Sequence, residues 1–233
     1  MGKIFGRFDK VIEYGQESID SEFRAAHAEI LDVTRGNGLW LWKPYIIYKT
    51  LEQVNNGDYI FYCDSGAFFF RSVSHFLKSI NESKSDIWVT DIAFINRQWT
   101  KPKVFELLGI SSREDIKNSR QVQGGFVFVR KSQESINFIR EWLELVQRPE
   151  LITPLRPDED YGECIEHRED QSLLSIVSKL RGVKPHKEPY IAPSYHSFRE
   201  LIKDLLGAKR VNAIKKFLGK KLLPPNRING QEQ

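Results

Sequence analysis

Short, nearly all-apolar runs alternate along the chain with longer stretches whose apolar residues recur at helical spacing. Asp58–Cys63 is a run of the first kind, and Asp86–Thr90 and Val122–Val129, the latter with Gly124-Gly125 inside it, predict two further strands. Such runs predict strands covered on both faces, as in the middle of a parallel sheet. Val11–Tyr14 predicts a further short strand. Among the helical stretches, Asp20 caps one that runs to about Thr34, with Phe23, Ala26, Ile30 and Leu31 on one face. Arg35–Gly38 breaks it. Pro44 suits the first turn of the next helix, which Tyr45, Ile46, Tyr48 and Leu51 carry to Gly57. Further helices are predicted over Ser72–Ser79, Lys103–Leu108, Gln133–Gln147 and Asp170–Leu180. The alternation predicts an α/β layered fold with a mostly parallel central sheet. The simplest partition is one domain over residues 1–195 and a helical C-terminal extension over 196–233.

Composition adds a class to this pattern. The chain has 233 residues, of which 40% are hydrophobic and 28% charged, as expected of a soluble protein with a full core. The net charge of +4 is concentrated near the C-terminus, where Lys203, Lys209, Arg210, Lys215, Lys216, Lys220 and Lys221 face only Asp204. A basic amphipathic tail of this kind predicts contact with an anionic membrane surface rather than nucleic acid, since no nucleic-acid module accompanies it. The two cysteines, Cys63 and Cys164, are too few and too far apart for a disulfide framework or a metal-ligand motif, so reduced thiols and a cytoplasmic setting are expected. No stretch reaches the ~18 apolar residues of a membrane span, and no signal-peptide pattern is found.

Several polar residues stand where chemistry is expected. Asp64 follows a buried strand, the place where open α/β sheets put their ligand crevice. Ser65 and Gly66 after it would let a ligand approach the backbone, although an Asp there also serves as a helix cap. Arg35-Gly36-Asn37-Gly38-Leu39-Trp40-Leu41-Trp42-Lys43-Pro44 puts aromatic rings and a lysine just before a helix N-terminus, which favours anions. Trp42 is a candidate stacking ring and Lys43 a phosphate partner, with core packing as the alternative for either tryptophan. Lys101 is a second lysine for donor phosphates. Gly124 and Gly125 leave room for a bulky ligand or form a bulge. In His167-Arg168-Glu169-Asp170-Gln171, acids in a first helical turn are favoured by the helix dipole, and a carboxylate there also suits a general base. His196 is a possible late metal ligand or an ordinary loop histidine.

In this order the strings at 35–44, 57–66, 121–125 and 167–171 resemble bacterial glycosyltransferases of capsule and surface-polysaccharide synthesis, over about Phe8 to Leu180. The resemblance implies a GT-A-like fold, a nucleotide diphosphosugar donor and a glycan or lipid-linked glycan acceptor. It implies that Asp64 holds Mn²⁺ or Mg²⁺ against the donor diphosphate, with Trp42, Lys43, Ser65, Lys101, Gly124 and Gly125 around the donor and Asp170 and Gln171 at the catalytic centre. The family pattern is Asp-x-Asp, and here the third position is Gly66, which leaves His196 or Asp170 as the second metal ligand. No opening strand precedes Asp9, so a domain short of its first strand is expected. The alternative is a non-catalytic carbohydrate- or nucleotide-binding remnant of the same fold.

Overall fold

A computed structural model of the chain describes residues 2–67, 69 and 72–186. The chain divides into two compact units, Met1–Glu188 and Pro189–Gln233. The second unit lies outside the described residues, and with it His196 and the basic helical extension.

Within the first unit, β1 (Tyr59–Cys63), β2 (Ile87–Trp88) and β5 (Phe126–Arg130) form one sheet in the order β1-β5-β2. β3 (Asp91–Ile95) and β4 (Arg120–Val122) form a separate ribbon. Four longer helices surround them: α1 (Trp42–Gln53), α2 (Ser74–Ser83), α3 (Gln133–Val146) and α4 (Glu169–Leu180).

The architecture is mixed α/β, but the expected parallel sheet is corrected. Both β1 and β2 pair with β5 antiparallel, and β3 pairs with β4 antiparallel. Because β1 and β2 each oppose β5, they run in the same direction, joined through α2. The strand–helix–strand order therefore marks a crossover of the kind parallel strands need. What the apolar pattern does not contain is that a later strand fills the gap between them in the opposite sense. An apolar run signals burial on both faces and carries no direction.

Burial on both faces is what the ladder shows. From β5, Val127 and Val129 join the main core, while Phe128 belongs to a second cluster with Trp88, Phe76, Ile80 and Val73. From β1, Ile60 and Tyr62 pack on the main core, and Phe61 on the second cluster. Successive strand residues point to opposite faces, so one sheet serves both cores.

The remaining elements depart from the expected pattern in instructive places. The helix expected over Asp20–Thr34 is two short ones, Ser21–Ala26 and Ala28–Leu31, interrupted at His27 (φ −123°, ψ 26°). Val11–Tyr14 is irregular. The run expected as one strand over Val122–Val129 is broken by a turn at Gly124-Gly125 that ends β4 and starts β5.

α4 is buried along most of its length and carries serines at every third position. Ser172 Oγ donates to the Trp99 carbonyl, and Ser175 Oγ donates to Asn96 Oδ1 while accepting from the Val122 amide. These bonds satisfy a polar stripe in the interior and lock α4 to the end of β4. On its other side α4 meets α3, where the fully buried Trp142 donates its indole N–H to the Asp170 carbonyl at 2.9 Å. Trp142→Phe removes that bond and leaves unfilled volume, so it is expected to lower unfolding free energy by about 1–3 kcal/mol. Urea titration measures this; an unshifted midpoint would show that Trp142 does not anchor α4.

Candidate functional site

The segment before α1 reaches the site through unusual backbone. Every residue from Gly36 to Trp40 has a φ between +50° and +96°. This is a turn of left-handed helix, which costs each L-residue roughly 1–2 kcal/mol and comes freely only to glycine. Gly38 is also the residue against which Leu31 packs: a Cβ there would lie 2.7 Å from the Leu31 Cα. Trp42 closes the turn by donating its indole N–H to the Gly36 carbonyl at 3.0 Å. The next residue is Lys43, whose side chain is only 6% exposed.

Lys43 Nζ stands 3.1 Å from Asp64 Oδ1 and 3.8 Å from Asp170 Oδ2. Three ring faces surround the ammonium at cation–π range: Trp40 at 5.8 Å, Tyr62 at 5.9 Å and Trp42 at 6.0 Å. Tyr62 Oη donates to Asp64 Oδ1 at 2.7 Å. The Asp64 amide donates to the Gly125 carbonyl at 3.0 Å, which ties the end of β1 to the glycine turn. A Cβ on Gly125 would lie 3.2 Å from Asp64 Oδ2, and one on Gly124 would lie 3.3 Å from Asp170 Oδ2. The glycines thus let a turn approach two carboxylates closely.

Gln171 holds that turn. Its Oε1 accepts from the Gly124 amide at 3.1 Å and its amide donates to Gln121 Oε1 at 2.9 Å. Gln121 in turn donates to the Trp99 carbonyl, Thr100 Oγ1 and Ser172 Oγ. Gln171 therefore acts on the site by positioning the glycine turn. At the start of α4, Arg35 clamps Glu166 and Glu169, with Nε 2.7 Å from Glu169 Oε1. Glu169 is itself at φ +39°. Burial raises its carboxyl above the ordinary range, and Arg35 opposes the rise.

Asp170 is the most constrained group. It is 3% exposed, and its Oδ2 has no hydrogen-bond partner. Burial pushes its carboxyl from 3.8 up to about 7; Lys43 pulls it back down, while Asp64 and Glu169 push it further up. Loss of solvent thus outweighs the nearby ammonium, as expected for an ion pair at 3.8 Å without a hydrogen bond.

Other expected site residues lie apart from this cluster. Lys101 is buried, donating its ammonium to the Thr153 carbonyl at 2.7 Å and to Thr153 Oγ1 at 3.2 Å, and burial lowers its value. His167 accepts from the Lys101 amide and pairs with the Leu151 carbonyl; burial holds it down at about 3. These two pin the Thr153 segment to the core. Ser65 is exposed in the turn after Asp64. A surface depression of about 560 Å³ lined by Arg140, Glu141 and Arg181 contains none of the clustered residues. It is open, and Arg181 and Glu141 there are paired with each other. Tyr62 was not expected at the site. Its signal was available, since residues two apart on a strand share a face and Asp64 is two positions on.

Among the described residues no group of three or more His, Cys, Asp or Glu is arranged around a metal position. Asp64 and Asp170 form a pair instead. A pair fits a hard divalent ion of the magnesium kind, which takes one or two protein carboxylates and fills its shell from phosphate and water. The unpartnered Asp170 Oδ2 is an oxygen with capacity to spare. Comparison of the chain with protein-family models, with curated proteins and with solved structures gave no match. Among the described residues no helix is long and apolar enough to cross a membrane.

Gly38→Ala puts a Cβ at positive φ against the Leu31 backbone and is expected to cost more than about 1 kcal/mol by chemical denaturation. An unchanged stability would contradict the left-handed turn. Asp170 gives a pH signature. Its raised carboxyl keeps a proton in the folded chain between about pH 4 and pH 7, where the unfolded chain has lost it. The stability this proton contributes is complete below pH 4 and lost as pH rises through 7. Asp170→Asn is therefore expected to match the parent near pH 4 and to become more stable by a few kcal/mol above pH 7. A difference independent of pH would count against a buried, raised carboxyl.

Proposed function

We propose that the chain is a glycosyltransferase that moves a hexose from a nucleotide diphosphosugar to a hydroxyl of a surface-glycan acceptor. The observation that carries this is the meeting of Lys43, Asp64, Asp170 and the Gly124-Gly125 turn from four separate stretches of sequence. Chemistry on a diphosphate leaving group needs compact positive charge, room for a bulky anion beside backbone, and carboxylates able to hold a hard cation. The cluster offers the charge and the carboxylates, and its glycine turn brings backbone up against both of them. The resemblance to the GT-A type rests on the order of the sequence strings at 35–44, 57–66, 121–125 and 167–171.

Asp64 and Asp170 are the residues that would hold Mn²⁺ or Mg²⁺, and such an ion supplies neutralisation of charge on the departing diphosphate. Lys43, set among the faces of Trp40, Trp42 and Tyr62, supplies a point charge for the same anion. Gly124 and Gly125 set backbone beside the two carboxylates where the donor diphosphate would lie, and Gln171 with Gln121 keeps their turn in place. Of the two parts expected of Asp170, its position across Lys43 from Asp64 favours metal ligand over general base. A lipid-linked glycan acceptor at the inner face of an anionic membrane, met by the basic residues between Lys203 and Lys221, completes the proposal.

A screen of nucleotide sugars with Mn²⁺ is expected to find one that releases nucleoside diphosphate. In that assay Asp64→Asn should lose at least about 100-fold in turnover while circular dichroism shows the folded chain. Full turnover by Asp64→Asn contradicts the assignment. Thermal stabilisation by a nucleotide sugar without turnover would instead mark a binding protein.

A further inference from the structure

Lys43 reaches both carboxylates of the site, yet satisfies only one of them well. Its ammonium is 3.1 Å from Asp64 Oδ1, which also accepts from Tyr62 Oη. At 3.8 Å from Asp170 Oδ2 it makes a long ion pair and no hydrogen bond, and that oxygen is left buried without a partner. A single positive charge is shared between two carboxylates, where a divalent ion would balance both. The two oxygens nearest the glycine turn, Asp64 Oδ2 and Asp170 Oδ2, border the space a Cβ on Gly125 or Gly124 would fill. Access is from the Asp64 side, whose side chain is 49% exposed against 5% for Asp170.

We propose that the Lys43 ammonium is a resident placeholder: a divalent cation binds the Asp64–Asp170 pair by displacing Lys43 from it. The faces of Trp40, Trp42 and Tyr62, within cation–π range of the ammonium where it now sits, attract it independently of the two carboxylates. A lysine suits this part, being a compact charge on a flexible four-carbon stem. In the empty state the ammonium offsets one of the two negative charges, so the pair is never left without any cation, and the divalent ion then meets both. The proposal rests on the metal-assisted donor site proposed above, but the exchange itself requires no sugar nucleotide.

Binding of Mn²⁺ alone to the full chain, followed by the electron spin resonance signal of the free ion, tests it. The parent is expected to bind one Mn²⁺ per chain, with a change in tryptophan fluorescence as the ammonium moves relative to Trp40 and Trp42. Lys43→Met removes the competing charge and should bind Mn²⁺ at least about tenfold more tightly. Lys43→Arg keeps the charge and can bridge both carboxylates with its fork, so it should bind about tenfold more weakly than the parent. Asp170→Asn should lose most of the affinity. Equal affinity in the parent and both Lys43 variants overturns the proposal, as does the absence of Mn²⁺ binding in every form. Should Lys43→Met not fold, the arginine variant alone decides, because a purely structural lysine predicts no loss of Mn²⁺ affinity there. Failure to turn over any nucleotide sugar, with this order of affinities intact, would count against glycosyl transfer and leave the exchange standing. Glycosyl transfer with affinities indifferent to Lys43 would do the reverse.

Discussion

A carboxylate taken out of water costs several kcal/mol unless a cation or a set of hydrogen-bond donors meets it. Asp170 is placed where that constraint acts on every neighbouring element. It sits in the first turn of α4, where the helix dipole favours an acid, and it faces Lys43 in the first turn of α1, where the dipole disfavours a base. Lys43 is held there because Asp64 and Asp170 together outweigh that unfavourable end. The buried indole of Trp142 fixes the Asp170 backbone, and Gln171 fixes the turn that both carboxylates border. Even so the account does not balance within the protein: Asp170 Oδ2 keeps an unused acceptor, and burial still lifts its carboxyl to about 7. An interior that leaves a charge this poorly met is more easily understood as a site than as a scaffold.

The strain in the chain is concentrated beside the same group. The left-handed turn at Gly36–Trp40 and the positive φ of Glu169 flank Lys43 and Asp170 respectively. Each is locked by neighbours, the first by the Trp42 indole and Leu31, the second by Arg35. Strained backbone persists where surrounding contacts over-determine it, and such places cluster at binding and catalytic sites. Here the strained turn has a direct structural result: it delivers Lys43 to a position 6% exposed, yet within reach of a half-exposed carboxylate.

Much of this was legible in the sequence, for physical reasons that differ from residue to residue. The apolar runs gave β1 and β5 because burial on both faces leaves no polar alternation, and the helical periodicity located α1, α3 and α4 closely. Strand direction was not legible, since hydrophobicity is the same whichever way a strand runs; the expected parallel sheet is antiparallel in its described pairs. β3 is as long as β1 and carries Ile92, Ala93, Phe94 and Ile95 in a row, so its signal stands in the sequence and is missed directly after the expected strand at 86–90. At the site, Lys43, Asp64, Asp170 and Gln171 stand out by their positions at the ends of expected elements, where α/β folds gather ligands, and Gly124 and Gly125 by interrupting an expected strand. Lys101 was picked for its charge alone and lies buried against Thr153, because charge says nothing of which way a side chain faces. Arg35, Glu166 and Glu169 form a clamp across more than a hundred residues of sequence, a distance over which no local pattern can pair them.

The central claim is that Asp64 and Asp170 form one cation site in which Lys43 now stands. Anomalous diffraction at the manganese edge, from crystals grown with Mn²⁺ alone, tests it most directly. One manganese peak is expected between the carboxylates of Asp64 and Asp170, with Lys43 Nζ moved away from both. A manganese peak elsewhere, or Lys43 still seated between the two carboxylates with the ion bound, would contradict it.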